Sequence, residues 1–103
     1  MKQLGPVIEN ILRRHNLWRG YQQYLVVEKW PQIVGSDLSE VTRADYVANG
    51  LLRVIVKDSV WAYHLSMMKP RLIEKLNHYA GSGVVKDIFF QIGDLEKQEK
   101  QQS

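Results

Sequence analysis

The stretch from Asp58 to Tyr79 constrains the rest of the chain, because it reads as a long amphipathic helix with a proline inside it. Trp61, Leu65, Met68, Leu72, Leu76 and Tyr79 recur at spacings of four and three, which places all six on one helical face and predicts that this face is core. Ser59 is the expected N-cap. Its hydroxyl can accept a bond from a first-turn N–H that lacks a helical partner, Asp58 sets negative charge at the positive end of the helix dipole, and the helix then begins at Val60. Pro70 has no N–H and its ring meets the carbonyl of Ser66, so the helix should kink or split near Lys69. Trp61 is expected to lie buried beneath a sheet, where truncation to alanine would cost about 3 to 5 kcal/mol.

The back of this helix is also apolar. Val60, Tyr63, Met67 and Pro70 repeat the spacing on the opposite side, whereas the second half presents Arg71, Glu74 and His78 to solvent. Helices that are apolar all round are usually buried, so another segment of the chain is expected to cover this second stripe. The alternative is a partner protein.

A chain of 103 residues is long enough for one core and too short for two. Its 45% hydrophobic and 24% charged content is that of an ordinary globular domain. With no cysteine, disulfides and thiolate chemistry are excluded. No apolar run approaches the roughly 20 residues of a membrane span and no signal peptide begins the chain, so the expected location is cytoplasmic. A net charge of +3 permits contact with nucleic acid without requiring it.

Leu4, Val7, Ile8, Ile11 and Leu12 have helical spacing, Pro6 fits a first turn, and Arg13, Arg14 and His15 sit at the negative end of the dipole. This short amphipathic helix, within residues 1–17, is the candidate cover for the Val60 to Met67 stripe, or else a mobile arm. A second helical region follows, with Tyr24, Val27, Pro31, Val34, Leu38 and Val41 as its stripe and Val26, Trp30 and Ile33 widening it. Pro31 must kink or restart it, and Trp30 is expected in the core.

Thr42 to Ala48 and Leu51 to Lys57 read as strands joined by Asn49-Gly50, a pair that accepts the positive φ of a type I′ turn. A two-residue turn fixes the register: Ala48 opposite Leu51, Val47 opposite Leu52, Tyr46 opposite Arg53 and Ala44 opposite Ile55. Leu52, Val54 and Val56 should face the helix, and Arg53 and Lys57 the other side. Ala80 to Gly83 breaks the long helix, and Val84 to Ile92 reads as a third strand with Ile88, Phe90 and Ile92 on one face and Asp87, Phe89 and Gln91 on the other. Residues 94–103 carry only Leu95 as a large apolar side chain and are expected to form a disordered tail. The predicted fold is α+β, in the order α-α-β-β-α-β, with a three-stranded sheet packed on helices.

No catalytic or metal-binding constellation stands out. His15, His64 and His78 lack neighbours at ligand spacing, so no metal or cofactor is expected. Asp58, His64 and Ser66 lack the strand-turn-helix elbow of a serine nucleophile. Gly81-Ser82-Gly83 follows a helix and precedes a strand, the reverse of the order that aims a helix N-terminus at phosphate. An enzyme is therefore not expected.

Trp30 with Val34-Gly35, Leu38 and Thr42, the run Gly50 to Val56, Ser59 with Trp61-Ala62 and Leu65, Leu72-Ile73, Leu76-Asn77 and Ile88-Phe89-Phe90 with Gly93 together resemble the DciA family. The resemblance covers about residues 18–93. It implies a K-homology-like domain of type II-like character, and a role as the bacterial replicative helicase operator that helps load a DnaB-type helicase onto DNA. Studied members typically add a basic, disordered extension, whereas here Glu96 and Glu99 offset Lys97 and Lys100. The Gly-x-x-Gly loop by which K-homology domains clamp a nucleic-acid backbone is also missing, so any such contact must use another surface.

Two functional readings follow. In the first, a non-enzymatic adaptor binds the DnaB-type replicative helicase through Val60, Tyr63, Met67 and Pro70, and weakly holds single-stranded DNA through Arg43, Tyr46, Arg53, Lys57 and Lys86. In the second, a stand-alone RNA-binding module uses the sheet face, with Tyr46 and Phe89 as stacking platforms. A structural protein without a nucleic-acid role is a third possibility.

Overall fold

The computed structural model describes residues 5–96. Four helices precede the hairpin: α1 (Pro6–Arg14), α2 (Trp18–Glu28), α3 (Trp30–Val34) and α4 (Ser36–Ser39). Strands β1 (Thr42–Ala48) and β2 (Leu51–Val56) follow, then α5 (Ser59–Met67), α6 (Lys69–Ala80) and β3 (Asp87–Ile92). Joining the helices divided at Pro31 and Pro70, and counting the single turn α4 after Gly35 with the second helical region, recovers the order α-α-β-β-α-β. Both breaks have the expected cause. Pro31 and Pro70 each sit at the start of a new helix, where a missing N–H costs nothing, and the preceding Lys29 and Met68 leave helical geometry at φ −99° and −94°.

The start of α5 differs from expectation by one residue. Asp58 is the N-cap, its Oδ1 accepting the Trp61 N–H at 2.9 Å, and Ser59 is already helical. A carboxylate at this position serves both as cap and as dipole partner, which the serine hydroxyl does not. The break at Lys29 also puts the two halves of the second helical region out of phase. Leu25, Val26, Trp30 and Val34 are buried, whereas Tyr24, expected in the stripe, is exposed.

The sheet is mixed, in the order β1-β2-β3, with β1 and β2 antiparallel and β2 and β3 parallel. Asn49 and Gly50 have φ of 54° and 83°, as a type I′ turn demands. Close to the turn the pairs are those expected, from Ala48 with Leu51 to Tyr46 with Arg53. Ala44 then pairs with Val54 instead of Ile55, because Asp45 is the extra residue of a β-bulge. Strict alternation from Val47 would have turned Asp45 and Arg43 into the core. The bulge sends Ala44 and Thr42 inward instead. Strands β2 and β3 are each shorter than predicted, ending at Val56 and beginning at Asp87.

All six helices lie on one side of the sheet or beside it, and the core forms between the layers from Val26, Trp30, Leu52, Val54, Val56, Leu65, Leu72, Leu76 and Ile88. Trp30 is 1% exposed. Its indole N–H donates to Thr42 Oγ1 at 2.8 Å, and that hydroxyl donates to the Leu38 carbonyl at 2.7 Å. Trp61 is only half-buried, packed on the margin of the core with His64 edge-on at 5.6 Å, so the expectation of full burial fails. A residue one turn into α5 reaches only the rim of the layer, and Leu65 fills the centre. The approach to β3 is held by Asn77, whose side-chain amide donates to the Val85 carbonyl and accepts the Val85 N–H, both at 2.8 Å. Gly81 has no alternative, since its φ is +131° and a Cβ there would lie 2.2 Å from Gln22 Nε2, which donates to the Ala80 carbonyl.

Trp30→Ala should cost about 3 to 5 kcal/mol in urea unfolding. Trp61→Ala should cost only about 1 to 2 kcal/mol, in proportion to its partial burial. Equal losses would place Trp61 in the core after all. A second expectation concerns acid. The Lys69 ammonium, at 3.1 Å, and the Ile88 N–H hold the Asp87 carboxyl below its ordinary pKa. A lowered folded-state value gives stability that is present above the unfolded pKa and lost as pH falls through the folded one. Asp87→Asn should therefore flatten the acid side of a melting-temperature profile taken from about pH 5 to pH 2.

Candidate nucleic-acid and partner surfaces

The face of the sheet turned away from the helices carries a row across all three strands. Tyr46 on β1 pairs with Arg53 on β2, and Arg53 is in register with Phe89 on β3. Tyr46 and Phe89 are 52% and 51% exposed, and the Arg53 guanidinium carbon lies 6.0 Å from the centre of the Tyr46 ring. Leu51 and Asn49 complete a depression of about 490 Å³ around these side chains. The arrangement offers two π-faces with a cation between them, the elements from which single-stranded nucleic acids are held by stacking.

The bulge adds an acid to this face. Asp45 takes the Arg53 guanidinium as a close partner and has that of Arg43 at 3.7 Å. Gln91 Oε1 accepts the Arg53 Nε–H at 3.0 Å. Arg43 is further engaged by the segment after β3, donating to the Leu95 carbonyl at 3.0 Å and the Asp94 carbonyl at 3.5 Å. That segment crosses the distal half of the face and seals Ile55, which is only 5% exposed, with Gly93 in close approach. The rest of the predicted tail, 97–103, lies outside the described residues.

Of the predicted nucleic-acid residues, Tyr46 and Arg53 thus stand together. Arg43 is near but occupied. Lys86 lies at the hairpin end with its stem against Gly50, and Lys57 is exposed beyond the other end of β2, so the five do not form one cluster. Phe89, named in the sequence only for the RNA-binding reading, joins them, and Leu51 is the contributor that neither reading included. The parity of β2 could have found Leu51, because Leu51, Arg53 and Ile55 share a face.

The second predicted surface is open. Val60, Tyr63 and Met67 are 75%, 70% and 68% exposed. The expectation that α1 covers them fails, since α1 packs on α2 alone. It is anchored there by Leu12, which is half-buried, and by Arg13, whose guanidinium stacks 4.6 Å over the Trp18 ring. A helix tethered at His15 and Asn16 to the start of α2 is committed to that end of the molecule. Val7, Ile8 and Ile11 are themselves exposed, and Leu4 lies outside the described residues. Pro70 belongs to α6, but it and Met67 line one shallow depression of about 480 Å³ with Met68, Arg71 and Glu74. A further apolar cleft of about 410 Å³ opens between α3 and α6, lined by Ile33, His78 and Tyr79.

Among the described residues no three metal-ligating side chains converge, and no helix is long and apolar enough to cross a membrane. A one-sided helix layer, an aromatic and cationic row on the other sheet face and an exposed apolar helix stripe define a small α+β domain with two candidate surfaces. It belongs to the family described as Dna[CI] antecedent, DciA, which it matches over residues 3–90. Among bacterial relatives, a UPF0232 protein of Mycobacterium tuberculosis is 30% identical over 85 residues, 82% of this chain and 46% of its own. A UPF0232 protein of Rhodococcus jostii is 32% identical over 63 residues, covering 61% of this chain and 34% of that one. One from Corynebacterium glutamicum is 20% identical over 87 residues, 84% of this chain and 49% of its own. The match spans less than half the length of each of these curated relatives.

If Asp45 restrains the two arginines, Asp45→Asn should raise affinity for a single-stranded oligonucleotide several-fold and steepen its salt dependence. Fluorescence anisotropy at two ionic strengths reads both quantities. An unaltered titration would mean that the sheet face does not meet the phosphate backbone.

Proposed function

We propose that this domain is a non-enzymatic adaptor of DNA replication that binds a DnaB-type replicative helicase and weakly holds single-stranded DNA. Membership of the DciA family carries this reading. The uncovered stripe on α5 supports it, because an apolar surface of this kind on a small basic domain fits a protein partner. Tyr63 and Met67 are the anchors, with Val60 and Pro70 at the margins. The DNA would lie across the sheet, with bases on Tyr46 and Phe89 and phosphates toward Arg53, while Lys57, Lys86 and Arg43 contribute longer-range attraction. With the helicase on the helical layer and DNA on the opposite face, one domain could hold both at once.

The double variant Tyr63→Ala, Met67→Ala should weaken helicase binding by about 1 to 2 kcal/mol or more, with the melting temperature preserved since both side chains face solvent. Calorimetric titration of the helicase checks it. Unchanged affinity in a folded double variant rules this surface out.

The aromatic row also supports the second reading, an RNA-binding module, because stacking does not distinguish the sugar. Tyr46→Ala and Phe89→Ala should each cost about 1 to 3 kcal/mol of single-strand affinity under either reading. DNA and RNA oligonucleotides of one sequence separate the two: a clear preference for RNA would favour the module over the adaptor.

A further inference from the structure

The two edges of the sheet are unlike. Strand β1 is bent by the bulge and carries Arg43 and Asp45, devices that discourage another strand from pairing there. Strand β3 pairs with β2 without irregularity, and its sequence, Asp-Ile-Phe-Phe-Gln-Ile, has one charge and no proline. Phe89 and Ile92 on it are about half exposed. Six residues of strongly β-forming sequence on a regular free edge are a template for pairing.

The ladder shows which groups are free. The N–H groups of Asp87 and Gly93 donate to Gly50 and Val56 on β2, so the odd-numbered residues of β3 point inward and Ile88, Phe90 and Ile92 point out. Asp87 Oδ1 takes the Ile88 N–H at 2.8 Å. No protein group among the described residues takes the N–H of Phe90 or Ile92.

We propose that β3 is the interface through which two copies of this chain form a twofold-symmetric dimer with a continuous sheet. The occupant is a second copy because the edge is complementary to itself. With the twofold axis at Phe90, each copy's Phe90 N–H meets the other's Phe90 carbonyl, and each Ile92 N–H meets the carbonyl of Ile88, leaving the Asp87 cap on Ile88 in place. In the same register Phe89 falls beside Gln91 of the other copy, while Ile88 is already buried in its own core. The pairing also meets no charge repulsion, since the sole acid of β3 is already bridged to Lys69. A pairing of this kind closes after two copies, so it blunts the edge without propagating.

Sedimentation equilibrium of the whole chain should show a monomer–dimer equilibrium. Ile92→Pro should abolish it while the melting temperature of the monomer stays close to the parent's, because the N–H it removes has no partner among the described residues. Ile92→Lys, which sets a charge at the interface without touching the backbone, should do the same. Amide exchange provides the readout that needs no variant: Phe90 and Ile92 amides should exchange more slowly as protein concentration rises. A parent that sediments as a monomer up to high micromolar concentration overturns the proposal. So does a folded Ile92→Lys that still dimerises, or exchange at Phe90 and Ile92 that is indifferent to concentration.

Discussion

The indole N–H of Trp30 and the hydroxyl of Thr42 form the relay on which the molecule turns. Trp30 lies at the start of a helix that Pro31 initiates, and Thr42 is the first residue of β1, so the bond ties the helical layer to one end of the strand. For Thr42 to reach it, its side chain must face the core. At the other end of the strand Val47, opposite Leu52, must also face the core, because the tight turn at Asn49 and Gly50 fixes the pairing there. Thr42 and Val47 are an odd number of residues apart, and a regular strand cannot present both to the same side. The bulge at Asp45 reconciles them. Its consequence appears on the opposite face, where Asp45 meets Arg43 and Arg53 and sets the electrostatics of the candidate site.

This relation shows why parts of the molecule were legible in the sequence and others were not. Asn49-Gly50 announced the turn and its register, and Pro31 and Pro70 announced both helix breaks, because each acts through its own backbone. The Leu65, Leu72 and Leu76 stripe was equally plain, since helical periodicity carries it. Asp45 was hidden, because a bulge arises from demands made at the two ends of a strand and has no local signature. Tyr24 was misassigned for a related reason: periodicity was carried through Lys29, where the helix had already ended. Family resemblance, assembled from scattered residues, pointed to the family that the match over residues 3–90 establishes. It could not separate a half-buried Trp61 from a buried one, because either would keep the residue.

The surfaces divide along the same line as the layers. Tyr46, Arg53 and Phe89 occupy the face the helices leave bare, while Val60, Tyr63 and Met67 lie on α5, across the core from it. Arg43, held by the carbonyls of Asp94 and Leu95, marks where the chain leaves the sheet. In a longer chain, whatever follows the domain would set out from a point already resting on that face, beside the aromatic row.

The parallel pairing of β2 and β3 also governs how the domain can be assembled from the extended chain. The β1 and β2 hairpin needs only a two-residue turn and can form on its own in microseconds. Strand β3 cannot dock until α5 and α6 have carried the chain back to the same end of β2, a closure that spans the whole crossover and slows the last step. Asn77 addresses the end of that journey. Its amide offers the Val85 peptide the two bonds a neighbouring strand would offer, fixing the chain one turn before the ladder begins. Until that side chain engages, β2 exposes Leu52, Val54 and Val56 beside an unpaired edge, and the newly made chain is at its most vulnerable to association with others.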